Sequence, residues 1–260
     1  MPTLDEIVAL TRQAGDAALA LRGALSETKQ DGSPVTAADR ASHDILMAGL
    51  ARFGYPIVSE ESLDAIPAHE TGRAWIVDPL DGTSAFLHGT PEWAAMVALV
   101  ENGEPILAVV YAAQMGALWS AEKGGGAYAE RDGKRQKMSV SEISNPHNAK
   151  ILLSKSHQSE QSDRVAALLG SAPERRGGLG IKACFIAERQ GDLYWTQAQV
   201  GEWDACAPQL ILTESGGAFT DARGERIRYV SQFERPVAGV AASNGLLHEA
   251  LTKAAHEVLG

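Results

Sequence analysis

Trp75-Ile76-Val77-Asp78-Pro79-Leu80-Asp81-Gly82-Thr83-Ser84-Ala85-Phe86 is the stretch on which the reading of this chain turns. Trp75-Ile76-Val77 is a short β-compatible run that breaks at once into Pro79 and Gly82. Proline is poorly placed inside a central strand, so Asp78 is expected at or near a strand end. Gly82 permits close backbone approach or an unusual dihedral, and Thr83-Ser84 suits a helix start. Two carboxylates three residues apart converge in a turn, whereas in a strand they face opposite sides. Such a pair repels itself unless a cation lies between, and hard oxygen ligands select Mg²⁺, Mn²⁺ or Ca²⁺ over zinc. The N–H groups around Gly82 and Thr83 would make an anion site beside it. An acid-held cation next to an anion cradle is what phosphate-ester chemistry requires. A capped turn with two solvated aspartates also accounts for these residues.

Upstream, Leu4 to Leu25 carries apolar positions at helical spacing, with Asp5 and Glu6 in the first turn where the macrodipole favours them. Lys29 to Asp39 reads as a turn, punctuated by Asp31-Gly32 and Ser33-Pro34, and then a helix start. There Thr36 is an N-cap with Asp39 three residues on, approximating a capping box. The spacing predicts a helix over Ala37 to Phe53. Tyr55 to Val58 follows as a short strand that delivers Glu60 and Glu61. Adjacent glutamates are ordinarily solvated loop charge. Here they end one apolar strand while Asp78 ends another, so neighbouring strands would bring one of them to Asp78 and Asp81.

Downstream, Ala94 to Val100 and Ile106 to Tyr111 read as paired strands around the turn Glu101-Asn102-Gly103-Glu104. Leu118-Trp119-Ser120 and Ala127-Tyr128 continue the meander, with Gly124-Gly125-Gly126 as a turn and Arg131 to Lys137 as a hairpin tip. Ser139 to Lys150 is the candidate internal boundary, giving an N-terminal α+β part (1–147) and a C-terminal α/β part (148–260). In the second part Ile151 to Leu153 reads as a strand, Gln161 to Leu169 as a helix, and Gly177 to Gly180 as the lead into a helix. Asp192 to Trp195 is a further strand. Asp204 is the expected N-cap of a helix over Ala205 to Glu214, with Pro208 in its first turn and Gly216-Gly217 closing it. Alternating helices and strands imply layered α/β packing.

The chain has 260 residues, 45% hydrophobic and 22% charged, an ordinary globular composition. Its net charge of −10 argues against a nucleic-acid polymer or an anionic membrane as partner. A small anionic substrate stays open, because a metal ion inverts the local field. Cys184 and Cys206 make no disulfide framework, and reduced core thiols are expected. Acids at the start and the lack of an apolar run near ~18 residues predict neither a signal peptide nor a membrane span. A cytoplasmic location is the expectation.

Four motifs then combine: Ser33 to Asp39 (SPVTAAD), Val58 to Ser62 (VSEES), Asp78 to Thr83 (DPLDGT) and Glu202 to Gly217 (EWDACAPQLILTESGG). In this order and spacing they resemble the inositol monophosphatase superfamily of lithium-sensitive, Mg²⁺-dependent phosphatases. DGSPVTAADRASHDIL, PIVSEES, GEPILAVVYA and SKSH are most similar to CysQ-type 3′(2′),5′-bisphosphate nucleotidases. The resemblance implies a five-layered αβαβα sandwich with the site between its halves. It implies Glu60, Asp78, Asp81, Asp204 and the Leu80 carbonyl as ligands of two or three Mg²⁺ ions, with Mn²⁺ as a substitute and Glu61 as a neighbour only. Asp78 would bridge two of these ions. Thr83, oriented by Asp39, would position the attacking water with Glu60, and Gly82, Thr83, Ser84 and Lys182 would contact the substrate. It also implies lithium sensitivity and a possible homodimer.

The departures from that pattern concern specificity. Nucleotidases of this type carry DPLDGTKEF, and here the run is DPLDGTSAFLHG, whose Phe86-Leu87-His88-Gly89 tail is nearer the inositol phosphatases. Their GSSLK motif becomes Gly178-Leu179-Gly180-Ile181-Lys182, which keeps the lysine and loses both serines. The arginine that often follows Leu-Tyr is replaced by Trp195 and Thr196. The glutamate that grips inositol hydroxyls is replaced by Gln197. Arg175 and Arg176 read as exposed loop arginines, and His157 as structural or substrate-facing. Three functions are open: removal of the 3′-phosphate from adenosine 3′,5′-bisphosphate; a phosphatase for inositol or another small polyol or sugar phosphate; and a non-catalytic binding protein that retains the fold.

Overall fold

The computed structural model describes residues 1–23, 26–28, 34–62, 72–229 and 237–260, so the Asp31-Gly32 turn falls outside the described residues. Helix α1 (Leu4–Ala20) starts in a capping box in which the Glu6 N–H donates to Thr3 and the Thr3 N–H donates to Glu6. Strands β1 (Ser26–Thr28) and β2 (Pro34–Thr36) form an antiparallel pair that leads into α2 (Ala37–Ala51). There Thr36 and Asp39 form the expected capping box. Both helices end before the expected Leu25 and Phe53.

The first sheet runs from β3 (Ile57–Ser59) through β4 (Arg73–Asp81), β5 (Ala94–Glu101), β6 (Glu104–Ala112), β7 (Ala117–Glu122) and β8 (Gly126–Arg131) to β9 (Lys134–Lys137). β3 lies parallel to β4 and the rest is an antiparallel meander. A five-residue helix, α3 (Thr83–Leu87), interrupts the path between β4 and β5. One expectation is corrected here, since β4 continues past Pro79 to Asp81. It does so by an irregularity, because the register to β5 slips between Asp78 and Asp81. Proline cannot donate to the ladder, and its carbonyl is taken instead by Ser42 Oγ at 2.7 Å.

The second sheet takes β10 (Lys150–Ser154) and then, around α4 (Glu160–Leu169), β11 (Ala172–Arg176). After α5 (Leu179–Ala187) come β12 (Leu193–Thr196), α6 (Glu202–Glu214), β13 (Ala218–Thr220), β14 (Val240–Ser243) and α7 (His248–Leu259). The strand order is β11-β10-β12-β14-β13, with β10 parallel to both of its neighbours. β11 corrects the reading of Arg175 and Arg176 as loop residues. Charged side chains hide the strand, which pairs on one edge only.

Period-two burial sorts the sheet residues into layers. Trp75, Val77, Val97 and Leu99 face α1 and α2, while Ala74, Ile76, Met96 and Ala98 face α5 and α6. The outer face of the second sheet, with Ile151, Leu153 and Trp195, packs on α4 and α7. The result is αβαβα, as the resemblance implies. Cys184 and Cys206 are buried and unpaired in the central helical layer.

Candidate active site

The irregular end of β4 carries the site. Asp78 Oδ1 accepts from the Leu80 N–H at 2.9 Å, which curls the backbone back on itself. Asp78 Oδ2 is buried and has no hydrogen-bond partner among the described residues. Asp81 Oδ2 accepts from the Gly180 N–H at 2.9 Å, so the lead into α5 presses against this turn. Asp204 sits three residues into α6, one turn deeper than the expected N-cap. Gly201 is the cap, and its N–H donates to Asp204 Oδ2 at 2.7 Å. Glycine offers no side chain to cap with, so Asp204 fills the reciprocal half of the box. Ligand atoms of Asp78, Asp81 and Asp204 lie within 4.8 Å of one another.

Glu60 enters from the parallel neighbour, in the turn after β3, with its N–H donating to the Val77 carbonyl at 3.3 Å. It shares a cavity of about 430 Å³ with Asp78, Leu80, Asp81 and Asp204. Glu61 instead acts on the half-buried His43, whose ring nitrogens stand 3.0 Å from Ser59 Oγ and 3.1 Å from Ser62 Oγ.

Burial pushes the Asp78 carboxyl well above the usual range, and the charges of Glu60, Asp81 and Asp204 add to it. Asp204 is pushed up by burial and then by Asp81 and Glu60. Asp81 is also raised by burial, against the opposing pull of Lys182 and the Gly180 N–H. Four carboxylates in one recess cannot all ionise without a counter-ion. The unpartnered Asp78 oxygen and the all-oxygen donor set fit a hard divalent cation. The site residues therefore suit the metal that the resemblance implies.

Thr83 Oγ1 has one proton and two acceptors in range, Asp39 Oδ1 at 3.2 Å and the Leu80 carbonyl at 3.4 Å. Asp39 is itself buried, and its other oxygen takes the Thr36 N–H at 2.7 Å and the Thr36 hydroxyl at 2.6 Å. The carboxylate that caps α2 thus also reaches Thr83. Gly82 has φ +89° and an added Cβ would stand 3.0 Å from the Glu92 carbonyl, so only glycine fits this turn. Gly82, Thr83 and Ser84 all line the cavity, with Ser156, His157 and Tyr194 facing them from the second sheet.

Lys182 also lines the cavity, but its ammonium holds the protein's own loop. Nζ donates to the carbonyls of Gly178 at 2.7 Å and Gly177 at 3.3 Å, and it lies 4.8 Å above the Tyr194 ring. Burial lowers its pKa to about 8 despite the attraction of Asp81.

A model of the inositol monophosphatase family matches residues 4–259. The chain belongs to the inositol monophosphatase family. It is 33% identical over 233 residues to the 3′(2′),5′-bisphosphate nucleotidase CysQ of Escherichia coli K12, covering 87% of this chain and 93% of that one. It is 35% identical over 236 residues to the histidinol-phosphatase of Mycobacterium tuberculosis H37Rv, covering 87% and 86%. Among solved structures, the Thermotoga maritima IMPase superposes with a TM-score of 0.84 at 26% identity, covering 98% of this chain and 97% of that one. CysQ from Bacteroides thetaiotaomicron gives 0.79 at 25%, covering 93% and 97%. The chain is a phosphatase, of a family that acts on small phosphorylated substrates and is generally Mg²⁺-dependent. Among the described residues no helix is long and apolar enough to cross a membrane.

One element beside the site escaped the sequence reading: the seam between the two sheets at Glu92. This carboxylate is buried, accepting from Arg176 Nη1 at 3.4 Å and from the Gly177 N–H at 3.0 Å. It pins the lead into α5 to the β4–β5 connection, next to the turn that holds Asp81. Its partners lie 84 and 85 positions along the chain, so no local spacing signals it. Ser42 under Pro79, 37 positions away, is hidden for the same reason.

Proposed function

We propose that this phosphatase removes the 3′-phosphate of adenosine 3′,5′-bisphosphate, leaving AMP and inorganic phosphate. The observation that carries the phosphatase chemistry is the cluster of buried Asp78 and Asp81 with half-buried Asp204, holding an unpartnered oxygen beside the backbone turn at Gly82. What supports the nucleotide over other esters is the likeness to the Escherichia coli CysQ nucleotidase across most of both chains. On this reading 1–147 supplies the metal turn, and 148–260 supplies Asp204 and the substrate-facing loops.

Glu60, Asp78, the Leu80 carbonyl, Asp81 and Asp204 would hold two or three Mg²⁺ ions, which when bound neutralise the ester's charge and lower the pKa of a water. The first N–H groups of a helix lack intrahelical partners, so those of Gly82 and Thr83 are suited to receive phosphate oxygens. Thr83 donates its proton to Asp39, which turns its lone pairs toward the cavity. There, with Glu60, it orients the attacking water. As the new bond from the water oxygen to phosphorus forms, the bond to the 3′-oxygen breaks; the water gives up one proton to solvent, and the departing oxygen takes one up from solvent and leaves as the AMP hydroxyl. No covalent phospho-enzyme is involved, and Ser84, Ser154 and Ser156 have no part as nucleophiles.

A second reading draws on the 35% identity to a histidinol-phosphatase and on the altered Ser84 to Gly89 run, which favour a small polyol or amino-alcohol phosphate. Phosphate release with Mg²⁺ sorts the two. The nucleotide should exceed inositol 1-phosphate and histidinol phosphate in kcat/KM by roughly tenfold or more. The reverse ranking overturns the nucleotide assignment, and silence on every ester overturns the enzyme.

A further inference from the structure

Three side chains of α2 reach the site from outside it. Asp39 accepts from the Thr83 hydroxyl, Ser42 donates to the Pro79 carbonyl, and His43 follows one turn after Asp39. Positions three and four apart share a helix face, so the three belong to one side of α2. Asp39 orients Thr83, and Ser42 holds the irregular end of β4. His43 takes no part in the chemistry, yet its ring touches the turn that carries Glu60.

That turn runs from Ser59 to Ser62. The Ser62 N–H donates to the Ser59 carbonyl at 3.1 Å, which closes a β-turn with Glu60 and Glu61 as its central residues. Ser59 is fully buried at the end of β3, and its hydroxyl accepts from the Glu61 N–H at 3.4 Å. The His43 ring joins the two ends of the turn, with Nδ1 3.0 Å from Ser59 Oγ and Nε2 3.1 Å from Ser62 Oγ. Each hydroxyl can donate or accept, so either imidazole tautomer is satisfied. A rigid ring between the first and last residues fixes the width of the turn. It thereby fixes the direction in which the Glu60 side chain leaves the backbone. From the sheet side the Glu60 N–H is held by the Val77 carbonyl at 3.3 Å, so β4 and α2 grip the turn from two directions.

We propose that His43 is a positioning residue for Glu60, holding the Ser59–Ser62 turn at the width that lets this carboxylate join Asp78, Asp81 and Asp204 around Mg²⁺. The proposal rests on the metal reading of the acid cluster and is independent of which ester is cleaved. Groups that orient metal ligands are commonly worth about 10- to 100-fold in metal affinity. His248 supplies the contrast. It too bridges two hydroxyls, with Nδ1 3.0 Å from Ser243 Oγ and Nε2 3.0 Å from Thr220 Oγ1. It does so at the start of α7, away from the residues that line the cavity.

Mg²⁺ titrated calorimetrically into the metal-free protein reads the effect without any substrate. His43→Ala should raise the apparent dissociation constant by about tenfold or more. Ser62→Ala, which removes one end of the bridge, should raise it less, and it carries the test if His43→Ala folds poorly. His248→Ala should lower the melting temperature and leave Mg²⁺ binding within about twofold of wild type. In a Glu60→Gln background, His43→Ala should add less than about twofold, because its effect passes through the ligand already lost. An unchanged dissociation constant in both His43→Ala and Ser62→Ala overturns the proposal. So does a full further loss in the Glu60→Gln background, or an equal loss in His248→Ala. A wild type that takes up no Mg²⁺ overturns the metal reading and this proposal together. A wild type that binds Mg²⁺ no better than a folded His43→Ala variant overturns this proposal alone.

Discussion

The two walls of the cavity are built on opposite physical terms. On the wall from the first sheet, Asp39, Asp78 and Asp81 are each less than a tenth exposed and are fixed by backbone N–H donors or by a helix cap. On the wall from the second sheet, Ser156 and His157 are exposed, and their contacts are few. The first wall concentrates negative charge beyond what burial tolerates and so creates a demand for cations. The second leaves polar groups uncommitted and so can be altered without unfolding anything. Apart from Asp204, which α6 contributes to the acid cluster, reaction chemistry and substrate choice are thereby separated in space, the one rigid and electrostatically loaded, the other open.

The sharpest way to break that division is at Asp78. Asp78→Asn keeps the size of the side chain and removes one anionic ligand from the cluster. Charge stabilisation of several kcal/mol is at stake, so turnover should fall on the order of 10³-fold or more for every substrate alike. The folded state should survive, because a neutral amide of the same size costs less to bury than a carboxylate whose ionisation burial opposes. Steady-state rates beside circular dichroism check this. A variant within about tenfold of wild type would move the chemistry away from the first wall.

Thr83 should give a smaller effect of the same kind. Removing its hydroxyl with Thr83→Ala leaves the ligand cluster in place but takes away the group that Asp39 orients. A loss of about 10²-fold in kcat, with KM nearly unchanged, is the scale of one positioned proton-handling group. Thr83→Ser should recover most of it. If the loss instead falls on KM and differs between substrates, Thr83 belongs to substrate choice, and the two walls are not separate.

The same division explains what was legible in the sequence. The first wall is made by neighbours in the chain: a β-run made irregular at Pro79, a glycine in the turn that follows, and a Thr36–Asp39 box whose three-residue spacing is a helix signature. Local rules find such features, and even the misplaced strand end at Asp78 was wrong by only three residues. Asp204 was found as a helix-start acid, though at the third position instead of the cap, because a glycine cap leaves no side-chain signal. Along the second wall the determining contacts are distant in sequence. Nothing in Ala172 to Arg176 reads as a strand, since its pairing energy comes from β10 and its charges serve Glu92, Asp163 and Lys150. Lys182 was recognisable as a lysine in the expected place, but only the folded loop reveals that its ammonium is bound to carbonyls. Residues 218–260 carry β13, β14 and α7, which come from the structure alone.

The smallest effect tests the electrostatic premise itself, without any substrate. Asp78 and Asp204 have their ionisation pushed above the ordinary carboxylate value, so the metal-free fold holds protons that the unfolded chain has released. Their contribution to stability is therefore fully present below about pH 4 and is lost as pH rises through the raised values. Lys182 works in the opposite sense, since a pKa lowered to about 8 makes the fold gain stability only as pH rises from there toward the unfolded value. The comparison thus belongs below that range. His43 and His248, whose pKa burial lowers, add stability as pH rises through the ordinary histidine range, so the acids are read as a difference between chains. In chelator, wild type should lose melting temperature relative to Asp78→Asn between about pH 5 and about pH 7. Saturating Mg²⁺ binds the folded state only, worth about 2.7 kcal/mol at a hundredfold excess over Kd, or roughly 5–10 °C for a chain of this size. Its stabilisation should be larger at the higher pH, where the acids it neutralises have lost their protons. Equal Mg²⁺ stabilisation at both pH values, with wild type and Asp78→Asn indistinguishable, would mean that the buried acids are not what the cation relieves. The loaded wall would then be an ordinary polar pocket.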